Sequence, residues 1–274
     1  MSYVKVLKKL CLPDAVVALA SGELQMPVTG FDAPAKWFGY PPALIPILSD
    51  SSGPSYLGYW KHWFVERESS FVKMYVDSGR TLLEIARNSE QFFGVIIIDA
   101  ICQFDGLSQE VKTFAEEVGE ETGGVTLSDY DRISLDTGDD LKGLHSVEVF
   151  KINTPLAVIQ DQAKYTGAFP CAVNIAKGFL NHSCPFELNN GQAEALVTGE
   201  LPSWFVSLDK ERLFYEYVSD CAFDKAWLTL NSPGWSVRSA RRAIKELQAY
   251  SKDEAFDLLV EAWLDIATED AGGY

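Results

Sequence analysis

The chain is predicted to fold as an α+β protein, with an antiparallel sheet and flanking helices in its first half and a mostly helical second half. Three observations predict this. Between residues 44 and 76, short apolar and aromatic runs alternate with Ser/Gly/Pro or charged turns, the pattern of a strand meander. Beyond residue 200, apolar residues recur every three or four positions, the helical period. With 274 residues, of which 47% are hydrophobic and 12% aromatic, the chain can bury a large core.

Leu12-Pro-Asp opens a helix over residues 15–20, since proline fits the first helical turn and Asp complements its positive end. Lys5, Lys8 and Lys9 ahead of an apolar run imitate a secretion signal, but Pro13 and Asp14 interrupt it. Residues 27–42, rich in proline, glycine and aromatics, read as an ordered loop laid on the core. A strand over 44–48 and a turn over 49–55 come next. Residues 56–65 and 70–76 form an antiparallel pair joined through Glu66-Arg-Glu. After an Asp77-Ser-Gly turn, the spacing of Leu82, Ile85, Ala86, Phe92 and Phe93 predicts a helix over 81–98, with a buried strand over 95–98 as the alternative. Residues 108–118 read as a helix, 119–143 as polar loop, and 147–152 as a strand; Pro155 and Gly167-Ala-Phe-Pro punctuate the stretch beyond that strand. Helices are expected over 191–198, 207–222, 237–250 and 253–268. In the third of these, Ala240, Ala243, Ile244 and Leu247 oppose Arg238, Arg241, Arg242 and Lys245; its apolar face is expected to meet the last helix. The organisation expected is an α+β domain over 1–150 and a mainly helical region over 151–274 packed on it.

The charge is uneven. Against 23 basic residues stand 39 acidic ones, a net of −16, which repels nucleic-acid phosphates and anionic lipid and favours cationic partners. Eleven carboxylates fall between Asp105 and Asp140, opposed there only by Lys112 and Arg132. Five scattered cysteines, Cys11, Cys102, Cys171, Cys184 and Cys221, read as reduced, buried thiols of a cytoplasmic protein. The most apolar run, residues 94–101, is too short to span a membrane and contains Asp99.

Catalytic signatures are missing from the sequence. It contains no Gly-x-Ser-x-Gly, no phosphate-cradling glycine loop and no His-Glu-x-x-His, and its only histidines are His62, His145 and His182. Cys171, His182 and Cys184 match no compact zinc spacing, and Asp129 to Asp140 lacks the closing Glu of a calcium loop. No metal and no cofactor is expected. Two features instead suggest recognition. One is the acidic run, with Glu116, Glu117, Glu120, Glu121, Asp129, Asp131, Asp136, Asp139 and Asp140 as partner-binding candidates. The other is the aromatic strand, on which alternation places Trp60 with His62 and Phe64 on one face and Trp63 with Tyr59 and Lys61 on the other, so that Trp60 or Trp63 is offered to a partner.

Leu12-Pro-Asp-Ala-Val-Val-Ala-Leu opening a helix, then Pro41-Pro-Ala-Leu-Ile-Pro-Ile-Leu, then Ser49-Asp-Ser-Ser-Gly before an aromatic strand resembles the SUKH superfamily of Smi/Knr cell-wall regulators and bacterial immunity proteins. The resemblance covers residues 10–101; the acidic segment and the helical second half lie outside it. It implies a non-catalytic α+β domain over 1–150 that works by binding. The role it implies is that of a cytoplasmic immunity protein neutralising a cognate basic toxin through its acidic surface. The alternative is an intracellular scaffold or regulatory subunit that binds through its aromatic sheet and helical half.

Overall fold

A computed structural model of the chain describes residues 2–50, 55–76, 81–119, 126–137, 144–155, 157–158, 202–269 and 272–274. The fold is α+β. Two short helices, α1 (Ser2–Lys9) and α2 (Asp14–Ser21), precede a five-stranded antiparallel sheet. Its strands β1 (Phe31–Asp32), β2 (Leu44–Asp50), β3 (Ser55–Trp60), β4 (Ser70–Tyr75) and β5 (Thr81–Ala86) lie side by side in chain order. β2 carries a bulge between Pro46 and Leu48, which pair with Gly58 and Leu57. Proline has no N–H to give a ladder, so the irregularity falls beside the residue that cannot pair on both sides. Gly58 is required there because a Cβ would sit 2.7 Å from Leu44 Cδ1 and 2.8 Å from Ile45 O.

The register separates the sheet into two faces. Tyr59 stands opposite Phe71, and Trp60 opposite Ser70, so Tyr59 and Phe71 share one face while Tyr56 and Trp60 share the other. Helix α3 (Ser89–Phe104) covers the Tyr59 face: Phe92 stacks on Phe71 at 4.5 Å, and Gln103 Nε2 donates to Thr29 Oγ1 just before β1. Helices α4 (Gln109–Val118) and α5 (Leu127–Thr137) pack against α3 and form the outer layer on this side. On the opposite face, Tyr56 meets Tyr40 at 4.7 Å, and Tyr40 reaches Tyr3 of α1 through a 3.1 Å hydroxyl contact.

The second half supplies α6 (Ser203–Val206), α7 (Lys210–Ser219), α8 (Phe223–Leu230), α9 (Val237–Gln248) and α10 (Glu254–Ile266). Helix α10 lies along α1, and Trp263 Nε1 donates to Tyr40 O at 3.3 Å. Asn231, 5% exposed, accepts the Ala43 N–H at 2.6 Å and donates to Trp227 O at 2.8 Å, tying the end of α8 to the start of β2. As the pattern predicts, α9 buries Ala240, Ala243, Ile244 and Leu247 and neighbours α10. Its arginines divide their partners: Arg241 donates to the C-terminal carbonyls Leu264 O and Ala267 O, Arg242 pairs with Glu211 at 2.7 Å, and Arg238 with Glu269 at 3.5 Å.

Several expectations are corrected. Residues 81–98 are not one helix: β5 is followed by α3, and Asn88 caps the helix by accepting the Gln91 N–H at 2.9 Å, while Gln91 Oε1 accepts from Arg87 N. Residues 95–98 are helical. Strand β3 ends at Trp60 instead of running to residue 65, because both neighbours stop there: Leu44 is preceded by Pro41 and Pro42, and β4 begins at Ser70. The alternation drawn for Trp63 and Phe64 therefore lapses. Residues 147–152 form no strand: a single 3-10 turn, Glu148–Phe150, lies there and follows another at Leu144–Ser146. The carbonyls of Val149, Ile152 and Asn153 turn to Gln91 Nε2, and Ala157 N takes Glu84 O on the edge of β5. The supposed polar loop contains α5. Cys11, Cys102 and Cys221 are exposed thiols, not buried ones; Cys11 and Cys221 occupy left-handed positions that end α1 and α7. The turn over 51–54, the Gly167 to Pro170 punctuation, the helix over 191–198, Cys171, His182 and Cys184 lie outside the described residues.

Candidate partner-binding surface

Helix α4 begins at Ser108, whose hydroxyl accepts the Val111 N–H at 3.3 Å. Val111, Phe114 and Val118 face inward, leaving Glu110, Lys112, Glu116 and Glu117 exposed. Glu110 lies on the first turn, where its own N–H and the Ser108 hydroxyl hold its carboxyl below the usual range, so it is anionic at neutral pH. Glu110 and Glu117 are seven residues apart and so stand on the same side of the helix, about 10 Å apart along its axis. Between them, beside the loop Gln25-Met26-Pro27, opens a groove of about 340 Å³. Met26, Pro27 and Phe114 supply its apolar lining, while Gln25, Gln109 and Thr113 with the two glutamates supply the polar one.

Helix α5 is held differently. Asp129 accepts from Thr126 Oγ1 at 2.7 Å and from Thr126 N at 3.2 Å, and these hydrogen bonds hold its carboxyl below the usual range, anionic at neutral pH. Arg132 approaches it at 3.9 Å. Tyr130 and Ile133 turn inward. The Tyr130 hydroxyl rests against Gly94 of α3, where a Cβ would come within 2.8 Å of it.

The predicted site residues thus take different places. Glu116 and Glu117 are exposed on α4; Asp129 and Asp131 are partly exposed on α5, Asp129 engaged with its own helix start; Asp136 lies on the last turn of α5. Glu120, Glu121, Asp139 and Asp140 lie outside the described residues. Glu110, Gln25 and Met26 were not among the predicted residues; the seven-residue spacing from Glu110 to Glu117 was the signal for the first, and nothing local marks the other two.

The aromatic candidates stand across the sheet from this acidic layer. Trp60 is 2% exposed and enclosed. Its Nε1 points to His62 Nε2 at 3.1 Å, and Trp227 Nε1 of α8 points to His62 Nδ1 at 2.8 Å. Neutral imidazole has one bare nitrogen, so only one of these indoles donates at a time. Trp60 therefore offers no surface to a partner: the strand direction that would expose it faces α8. Trp63 is half-buried against Trp227 at 5.9 Å and Phe256 at 5.3 Å, with Lys61 Nζ 5.3 Å from its ring centre.

Among the described residues, no group of three His, Cys, Asp or Glu side chains could hold a metal ion, and no helix is long and apolar enough to cross a membrane. Comparison with protein-family models, with curated proteins and with solved structures finds no match.

Proposed function

We propose that this chain is a non-catalytic protein-binding protein, an immunity protein of the cytoplasm that neutralises a cognate basic toxin through the acidic surface of α4 and α5. The observation that carries the reading is the groove beside α4. An arginine or lysine has an apolar stem and a charged head, and the groove has an apolar lining of Met26, Pro27 and Phe114 flanked by Glu110 and Glu117. The surplus of negative charge, −16 over the chain, would speed encounter with a cationic protein and make association fall with salt. The resemblance of residues 10–101 to the SUKH superfamily points the same way. The regulatory-subunit reading rests on Trp63, since Trp60 is enclosed.

Co-expression with the product of the neighbouring gene tests the proposal. A stable complex and rescue from toxicity are expected, both lost in the Glu110→Lys, Glu117→Lys double variant, whose circular dichroism stays that of the parent because both side chains are exposed. The absence of a complex and of rescue by the parent chain would overturn the reading. A complex abolished by Trp63→Ala but indifferent to the two glutamates would favour the regulatory subunit.

A further inference from the structure

On the side of the molecule away from the acidic helices, the loop after β3 meets the end of α1 and the turn between α9 and α10. They border an open, shallow hollow of about 680 Å³. Its apolar lining is aromatic: Trp63, Phe64 and Tyr250. Trp63 and Phe64 each pack on Phe256, both with ring centres 5.3 Å away, and on Trp227, both at 5.9 Å. Tyr250, 48% exposed, leans on Phe223 at 4.6 Å. Rings pinned from behind lose little freedom when something covers their open faces, which is what makes aromatic side chains effective anchors.

The charges around this pocket differ from those of the protein as a whole. Glu254 is paired with Lys9, and Asp253 is engaged as the cap of α10, accepting the Ala255 N–H at 2.8 Å. Lys252 is exposed and Lys61 lies over Trp63; among the described residues neither is within ion-pair distance of a carboxylate. Outside the Lys9–Glu254 pair, the two lysines at the rim therefore face one carboxylate, Asp253, which leaves a local surplus of one positive charge on a chain whose net charge is −16. The indole N–H of Trp63 is buried with no hydrogen-bond partner among the described residues, so its signal is sensitive to any change in how the ring is packed.

We infer that this pocket docks an extended acidic peptide segment of a partner protein, which inserts one large apolar side chain between Trp63, Phe64 and Tyr250 and sets its carboxylates against Lys61 and Lys252. The site is independent of the groove beside α4 and selects the opposite charge. A chain with both would hold a cationic surface on one side and an acidic segment on the other.

The test uses the full chain labelled with nitrogen-15, the Trp63 indole signal being assigned with Trp63→Phe. Four probes are titrated: the blocked peptide Glu-Asp-Phe-Asp-Glu, the same peptide with Ala for Phe, the peptide Lys-Lys-Phe-Lys-Lys, and a thymidine hexanucleotide. The first is expected to move the Trp63 signal, and its affinity to fall at least tenfold with Ala for Phe and at least tenfold in the Lys61→Glu, Lys252→Glu variant. Tyr250→Ala, at an exposed ring, is expected to weaken it as well. The Glu110→Lys, Glu117→Lys variant is expected to bind it undiminished, which separates this inference from the proposed function. Equal or tighter binding of the basic peptide or the hexanucleotide, or an unmoved Trp63 signal at millimolar acidic peptide, would overturn the inference.

Discussion

Helix α5 is anchored where the Tyr130 hydroxyl meets Gly94, and two substitutions there probe that anchor. Gly94→Ala places a Cβ 2.8 Å from Tyr130 Oη and 3.1 and 3.3 Å from the Phe150 ring, in a region where Phe150 is fully buried. Overpacking of this kind costs about 1–3 kcal/mol, and alanine returns about 1 kcal/mol of helix propensity in the middle of α3, leaving a net loss of about 0–2 kcal/mol. Tyr130→Phe acts in the other direction. Its hydroxyl is buried without a hydrogen-bond partner, so deleting it relieves a desolvation penalty of about 1 kcal/mol. In the double variant the 2.8 Å contact is gone and only the Phe150 contacts remain, so the two effects couple by about 1 kcal/mol. Equilibrium unfolding in urea at neutral pH, with all four proteins compared at constant slope, measures each value. A Tyr130→Phe variant less stable than the parent by more than about 1 kcal/mol would mean that the hydroxyl has a partner. Additivity within about 0.3 kcal/mol would mean that α5 does not dock on Gly94 in this way.

Two further outcomes are expected. His62→Ala leaves both the Trp60 and Trp227 indole N–H groups buried without the imidazole, and is expected to cost about 2 kcal/mol in urea unfolding and to alter the near-ultraviolet spectrum of the tryptophans; an unchanged midpoint would refute the His62 link between β3 and α8. Asp129 has a folded-state carboxyl held below its usual range, so its contribution is present at neutral pH, above the unfolded value of about 3.9, and is lost as pH falls through the lower folded value. The stability gap between the parent and Asp129→Asn should therefore close in acid, and a gap that stays constant from pH 7 down to pH 2 would contradict the Thr126 to Asp129 hydrogen bonds.

The sequence was most legible where local chemistry and burial agreed. The arginine face of α9 and the apolar face of α10 stand out because a 3.6 period separates them, and Leu44 to Leu48 was recognisable between a proline pair and a Ser/Gly turn. It misled where a tertiary contact decided. Leu82, Ile85 and Ala86 fit a helical period, yet Thr81–Ala86 pairs with β4, and the helix signal proper was Asn88 with Gln91. Thr126 and Asp129 pair at a helix start ahead of Tyr130 and Ile133, a signal hidden by the surrounding glycines and carboxylates. Of the site, the exposed glutamates of α4 could be read from composition. The Gln25 to Pro27 wall of their groove could not, since it comes from a loop more than eighty residues earlier and depends on how α4 lies against α3. Trp60 was misplaced because alternation names two faces without saying what covers either.

The pairing of α1 with α10 has a bearing on how the chain reaches this fold. The helix at one end of the sequence rests on the helix at the other, and Ala43 waits for Asn231 to accept its N–H. During synthesis the sheet can form early from neighbouring strands, but its Trp60 face stays wet until residues beyond 220 emerge, since Trp227 and Trp263 are among its cover. Contacts of such long separation close slowly, and an apolar face exposed meanwhile is prone to stray association. Truncated forms that stop before α8 are therefore expected to need chaperones, or to aggregate, even though all five strands of the sheet are already present.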